Sequence, residues 1–435
     1  MSGKGEVLHG SRFVRDGLAG AEGGGHAERR RVVISRDSEE SAMSDDIVND
    51  DFLVDVPDIP MPEEGVAEGE VVKDEFEGAF DYAFVGAGQA GSRIVESFWK
   101  LGYRRVCCVN TNSQDLAGID IPESNKLVMD IGSGGAGKDP AKGAKAIQSY
   151  YEDVYDLMRR SFGRKFDRVF VSVGAGGGTG SGCAKALVDI AHDIARSFKV
   201  EEEGGKPAVG AIAALPKTTE GAKVNFNAHG VLDDLFSMVG SDAGKLAGRS
   251  LSPLIVIDND RINRLYPNLP VAKFWDVANR NVSSLFHLFN TIAIRDSDFT
   301  TFDRADLKDI LESGTVTFGA CPMKKWGAAD DISYAIRDNL RRNVLVGGFD
   351  LKQAKAAGCV FIAHGDVLEK VPQAYLEHGF EMLSRIMGAG SVVHRGIYRG
   401  GKPGLVVYTI LGELGRPDER MEEIARVGGA TLRKE

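Results

Sequence analysis

Gly174-Ala175-Gly176-Gly177-Gly178-Thr179-Gly180-Ser181-Gly182 is the stretch from which the rest of the chain is read. It follows Arg168-Val169-Phe170-Val171-Ser172-Val173, rich in β-branched and aromatic residues like a buried strand, and precedes the helical pattern Cys183 to Ala191. The order is strand, glycine loop, helix. Glycines let the backbone approach a ligand closely, and a helix start offers unpaired N–H groups with a partial positive charge. Such a turn suits an anion, most often phosphate, and Thr179 and Ser181 are predicted to add hydroxyl donors. The competing reading is a glycine-rich linker; the tight setting between an apolar strand and an apolar-faced helix argues against it.

The chain has 435 residues, 43% of them hydrophobic, enough for about two or three domains with substantial cores. No apolar run approaches the ~18 residues that span a bilayer, and Met1 to Gly10 lack an apolar signal core. A cytoplasmic protein without membrane insertion is expected. Cys107, Cys108, Cys183, Cys321 and Cys359 show no CxxC spacing, which predicts reduced thiols rather than disulfides or a zinc site. A net charge of -10 argues against general nucleic-acid binding. Residues 1–78 show no sustained period and, from Asp45 to Glu77, are dense in Asp, Glu and Pro. They predict a disordered acidic extension, either solvated or available to a basic accessory protein.

The wording Gly176-Gly177-Gly178-Thr179-Gly180-Ser181-Gly182 resembles the phosphate-loop signature of the tubulin/FtsZ superfamily, the cytoskeletal GTPases. It lacks the Gly-Lys-Ser/Thr ending of a Walker loop. The other nucleotide loops of that family are matched in order. Gly86-Ala87-Gly88-Gln89-Ala90-Gly91 follows the apolar strand Phe80 to Val85 and opens a helix from Ser92; alone, this GxGxxG equally fits a dinucleotide-binding enzyme. A dinucleotide enzyme places an acid after the second strand for the ribose hydroxyls. Here Asn110 and Asn112 stand after Arg105 to Val109, as in the family's second loop. An oxidoreductase is therefore the weaker alternative. Gly135-Ala136-Gly137 resembles the third loop, against the terminal phosphate, with Lys138 where tubulins carry Asn, and a helix is predicted from about Ala144 to Phe162.

After the buried run Pro207 to Pro216, Lys217 to Lys223 is similar to the fifth loop of FtsZ. The resemblance implies ribose contact for Glu220 and phosphate contact for Lys223; both also read as ordinary loop charges. Leu254-Ile255-Val256-Ile257-Asp258-Asn259-Asp260-Arg261 resembles LIVIPNDR, with Asp258 replacing Pro and Asn259 in the place of a base- or ribose-contacting Asn. The apolar helix Val271 to Ile294 is similar to the family's central helix. It implies Trp275 for stacking on guanine and Asn279, one turn on, for reading the base edge; Trp275 also reads as core. Thr301 to Leu311 resembles the seventh loop, NxDxxD, with Asp303 and Asp306 at its acidic positions and Thr301 replacing Asn. In the family this loop enters the site of the next subunit and polarises the attacking water. The same pair also reads as a plain helix N-cap.

The reading is α/β. It divides the chain into a Rossmann-like GTP-binding domain with a mainly parallel sheet (79–270), a long central helix (271–298), an α+β domain (299–415) and a short tail (416–435). The resemblance implies GTP and GDP as ligands, Mg²⁺ as cofactor and a head-to-tail homopolymer as the working form. It leaves open a GTP-binding relative without turnover.

Overall fold

Continuously apolar segments become the centre of a parallel sheet, because helices cover it on both faces. The strands are β1 (Tyr82–Ala87), β2 (Val106–Asn110), β3 (Lys126–Val128), β4 (Arg168–Gly174), β5 (Val209–Leu215) and β6 (Leu254–Asp258), followed by β7 (Thr315–Met323), β8 (Ala356–His364), β9 (Val392–Gly400) and β10 (Leu405–Leu414). They form one sheet in the order β3-β2-β1-β4-β5-β6-β7-β10-β8-β9. This computed structural model describes residues 77–132, 134–200, 208–240, 250–341 and 343–429, all within the compact unit Asp50–Glu435. The predicted disorder of residues 1–78, and the accessory partner read from it, lie outside the described residues except at their last two positions.

Strand alternation sorts the core. Tyr82, Phe84 and Phe170 face one side of the sheet with Phe98 and Phe286, whereas Ala83, Val85, Val169 and Val171 face the other with Leu187 and Ile190. Phe84 stacks on Phe98 at 4.1 Å, and Phe286 from the central helix Val271–Ile292 meets Phe170 edge-on at 5.2 Å. Asn290 of that helix is buried and anchors the entering chain: its Oδ1 accepts from the Phe80 amide at 2.9 Å and its Nδ2 donates to the Phe80 carbonyl at 3.0 Å.

The C-terminal region has its own core, centred on Phe361 and Phe380, yet it continues the same sheet. The join is narrow: β7 pairs with β6 only at Leu254 and Thr315. The rest of the β6 edge is covered by residues 344–346, through hydrogen bonds from the Asp258 amide to the Val344 carbonyl and from the Val346 amide to the Val256 carbonyl. One core cluster also runs across the predicted division, with Phe84 and Phe98 in the same cluster as Val360 and Tyr408. Two local expectations differ. The helix predicted from Ala144 to Phe162 is two helices, Pro140–Ser149 and Tyr151–Phe162, broken at Tyr150, and begins earlier because Asp139 caps the Ala141 amide with Pro140 in the first turn. The segment read as a short tail contains the helix Asp418–Gly428, whose Met421 and Ile424 are buried in the second core cluster.

Candidate functional site

β1 and β4 are neighbours, with Ala87 opposite Val173, but the helices that follow them leave to opposite faces. This is the switch point of an open α/β sheet, where a crevice forms beyond the carboxyl ends of the strands. The helix Gly88–Lys100 starts at one side of it and Gly178–Ser197 at the other. Gly88 takes φ +70°, and a Cβ there would lie 3.1 Å from the Gly180 amide nitrogen. The loops are in direct backbone contact.

Three of the loops are tied together by side chains. The Thr111 and Thr179 hydroxyls are 2.6 Å apart, and Thr111 Oγ1 accepts from the Ala136 amide at 2.9 Å. The Gly178 amide donates to the Gly137 carbonyl at 3.0 Å. From the helix Ala222–Met238, Asn227 Nδ2 donates to both the Lys138 and the Gly176 carbonyls at 3.2 Å. Ser181 Oγ bonds to the Ala175 carbonyl. The hydroxyls of Thr179 and Ser181 thus also take part in holding the loops together. Thr111 and Asn227, which tie the loops, carry no local signal in the sequence.

The donors left over are main-chain amides. The first N–H groups of a helix have no intrahelical partner, and among the described residues none is recorded for Thr179 or Gly180. Gly177 is exposed, with nothing within 4 Å of the position a Cβ would take. Gly135 takes φ +128° and packs on Asn112, whose Oδ1 caps the helix Ser113–Ala117 through the Gln114 amide at 2.9 Å. Asn110 is buried and Oδ1 accepts from the Asn112 amide at 3.2 Å, so both asparagines shape their own turn. Gln89 is exposed, with Nε2 3.4 Å from Asp115, while Ala90 is half-buried and Gly86 lies inside β1.

The ends of β5 and β6 supply the other flank. Glu220 and Lys223 are exposed; Glu220 Oε1 accepts from the Lys217 amide at 2.9 Å, and Lys217 Nζ sits 4.2 Å over the Phe274 ring. Asn259 is buried. Trp275 is 36% exposed and meets Phe274 edge-on at 5.1 Å, so it is not a core residue; Asn279, one turn on, is half-buried. Asp258, where the resemblance calls for Pro, is buried and pairs with Arg420 of the C-terminal helix at 3.0 Å. Burial raises the Asp258 pKa, and Arg420 opposes that shift.

Asp303 and Asp306 lie elsewhere. Asp303 caps the helix Arg304–Leu311, accepting from the Ala305 and Asp306 amides at 2.8 and 3.0 Å, while Asp306 Oδ2 accepts from the Asp303 amide at 3.0 Å. The N-cap reading is therefore realised, and Asp306 keeps a second partner: its Oδ1 is 2.6 Å from His394 Nδ1, and His394 Nε2 is 3.2 Å from Asp309. Arg304 fixes this helix against the start of the sheet, 3.4 Å from Asp167 and 4.5 Å over Phe80. Asp167 precedes β4 and the glycine loop follows it, so the two groups sit at opposite ends of a strand about 20 Å long. A cavity of about 430 Å³, lined by Tyr82, Asp167, Arg304 and Lys308 among others, also lies at the acid end and borders none of the glycine loops.

Residues 82–202 match the family described as Tubulin/FtsZ family, GTPase domain. The segment that carries the glycine loops is thus similar to the GTPase domain of the tubulin/FtsZ family. Among curated relatives, cell division protein FtsZ 1 of Thermococcus kodakarensis is 27% identical over 239 residues, 53% of this chain and 55% of that one. FtsZ 2 of Methanocaldococcus jannaschii is 25% identical over 66% of this chain and 68% of its own length. The chain spans about half the length of most of the curated relatives it matches. Among solved structures, a GTPγS-form protofilament of TubZ from Bacillus thuringiensis serovar israelensis superposes with a TM-score of 0.67 at 19% identity, covering 82% of this chain and 93% of that one. A GTPγS-bound protofilament of CetZ2 from Haloferax volcanii gives 0.61 at 21% identity, over 80% and 97%. The tubulin/FtsZ fold thus extends over the described C-terminal region as well as the matched GTPase segment.

Proposed function

We propose that the chain binds GTP in the crevice beyond β1 and β4, assembles head to tail with further copies of itself, and hydrolyses GTP where two copies meet. The observation that carries this reading is the separation of the site into halves: glycine loops beyond the carboxyl ends of β1 and β4, Asp303 and Asp306 beside the amino end of β4. A copy stacked with its acid-bearing end on the loop-bearing end of the next delivers carboxylates that no subunit can deliver to itself. Such a contact joins two different surfaces, and it propagates as an open filament where the rotation does not close. The TubZ and CetZ2 structures are protofilaments, which supports self-assembly.

In this mechanism the Thr179, Gly180 and Gly137 amides donate to phosphate oxygens and stabilise the charge that builds on the γ-phosphate. Glu220 accepts from the ribose hydroxyls and Lys223 offsets phosphate charge. Asn259 and Asn279 read the base, and Trp275 stacks on it. Asp303 and Asp306 of the adjacent subunit orient and polarise the attacking water. Mg²⁺ neutralises charge on the phosphates when bound. Among the described residues no three His, Cys, Asp or Glu side chains gather as a metal site.

The test is GTPase rate per subunit against protein concentration, with sedimentation in parallel. A shared site gives a threshold in both. Asp306→Ala is expected to bind GTP with unchanged affinity, to lose about 100-fold or more in turnover and to form long-lived filaments. Unchanged turnover in that variant, or a monomer cleaving at full rate, would refute the shared site. A GTP-binding relative without turnover is the second reading, favoured by the engagement of Asp303 Oδ1 with its own helix; GTP binding with no phosphate release at any concentration would select it.

A further inference from the structure

We infer that Arg420 is a positioning residue for the nucleotide, and that the helix Asp418–Gly428 is a latch that sets the rate at which nucleotide leaves. The inference rests on the GTP-site reading above and extends it to a segment with no nucleotide motif. Arg420 is 5% exposed. Its Nη2 lies 3.0 Å from Asp258 Oδ1, 2.9 Å from Asp260 Oδ2 and 3.5 Å from the Pro216 carbonyl, while Nη1 lies 2.6 Å from Glu423. Asp258 closes β6 immediately before Asn259, and Pro216 follows β5 immediately before the turn that carries Glu220. Asp260 Oδ2 also accepts from the Thr218 amide at 2.9 Å. One guanidinium therefore spans the carboxyl ends of two neighbouring strands and, through Asp260, holds the turn between Lys217 and Gly221.

This arrangement accounts for the sequence departure at 258. A proline there needs no partner, whereas a carboxylate that is 1% exposed is strongly destabilising unless paired and hydrogen-bonded. The partner comes from a helix some 160 residues later, and that helix is docked rather than pendant. A Cβ on Gly428 would come within 2.6 Å of the Phe226 amide nitrogen, and Arg416 pairs with Asp233 at 2.7 Å, both on the helix Ala222–Met238. That helix also carries Lys223 and the loop-tying Asn227. Undocking the latch releases both strand ends at once and leaves Asp258 and Asp260 facing each other without their shared cation. A lysine is a poor substitute, because a single ammonium cannot hold Glu423 with one nitrogen while another reaches Asp258, Asp260 and the Pro216 carbonyl.

The experiment measures release of a fluorescent GDP analogue from full-length protein by stopped flow, alongside denaturant midpoints. Arg420→Met is expected to release GDP about tenfold faster and to lower the midpoint, because it strands a buried charge. The decisive variant is Asp258→Asn combined with Arg420→Met, which removes the stranded charge. Its midpoint recovers toward wild type, but release stays at least fivefold fast because the Pro216 and Asp260 bridges are still missing. Arg420→Lys gives an intermediate rate. A double variant that recovers both midpoint and wild-type release would overturn the positioning role and leave Arg420 a purely structural charge. Failure of the wild-type protein to bind guanine nucleotide would instead overturn the site reading, and this inference with it.

Discussion

Gly177 and Gly178 are adjacent, and alanine at each is expected to act in opposite ways. A Cβ on Gly178 would penetrate the Gly137 carbonyl oxygen and stand 2.8 Å from the Asp139 amide nitrogen and 3.0 Å from the Ala136 methyl. Those are mostly backbone atoms, so Gly178→Ala must displace the 136–139 turn or open the Gly178–Gly137 hydrogen bond. Overpacking costs about 1–3 kcal/mol and the lost hydrogen bond about 1 kcal/mol, a total of about 2–4 kcal/mol. At Gly177 the φ is -82° and the Cβ position is open for 4 Å. There, alanine gains about 0.4–1 kcal/mol through the unfolded chain and loses a comparable amount as a poorer helix cap, so stability holds within about 1 kcal/mol. The open volume is where a phosphate would press on the amides, so Gly177→Ala is expected to weaken GDP and GTP binding at least tenfold with little change in the denaturation midpoint. Circular dichroism in denaturant and equilibrium binding of a fluorescent nucleotide read the two effects separately. Full affinity in Gly177→Ala would refute this seat for the phosphate, and wild-type stability in Gly178→Ala would refute the loop packing.

Other expectations follow from single contacts. His394→Phe removes the bond to Asp306 Oδ1; at about 1.4 kcal/mol, this lowers turnover per assembled subunit about tenfold without moving the assembly threshold seen in sedimentation. Thr111→Val and Thr179→Val, made singly and together, are expected to show a coupling of about 1 kcal/mol in denaturant unfolding, because each hydroxyl is the other's partner at 2.6 Å. Burial, aided by Arg295, lowers the His287 pKa to about 4. The folded protein therefore keeps His287 neutral where the unfolded chain, titrating near 6.5, already binds the proton. Stability is lost as pH falls from about 6.5 toward 4, and His287→Gln flattens that part of the midpoint-against-pH profile relative to wild type.

Local sequence was enough for the parts of this protein whose physics is local. Apolar runs such as Arg168 to Val173 and Leu254 to Ile257 are strands because both sheet faces are buried, and the glycine loops that follow them are legible because backbone approach and helix starts need those residue types in that order. Asp303 and Asp306 were legible as an acidic pair and equally as a cap, since i, i+3 spacing serves both. What no local pattern carries is which distant groups meet. Thr111 reaches Thr179 across 68 positions, Asn227 reaches Gly176 across 51, and Arg420 reaches Asp258 across 162. These contacts tie the Thr179 hydroxyl into the loop scaffold, turn the expected tail into a docked helix and give the odd Asp258 its partner. They also put the acids at the far end of β4 from the glycine loop. Hydrogen bonds and buried charges are satisfied by whatever the packed fold brings within about 3 Å, and that proximity is a property of the tertiary structure alone.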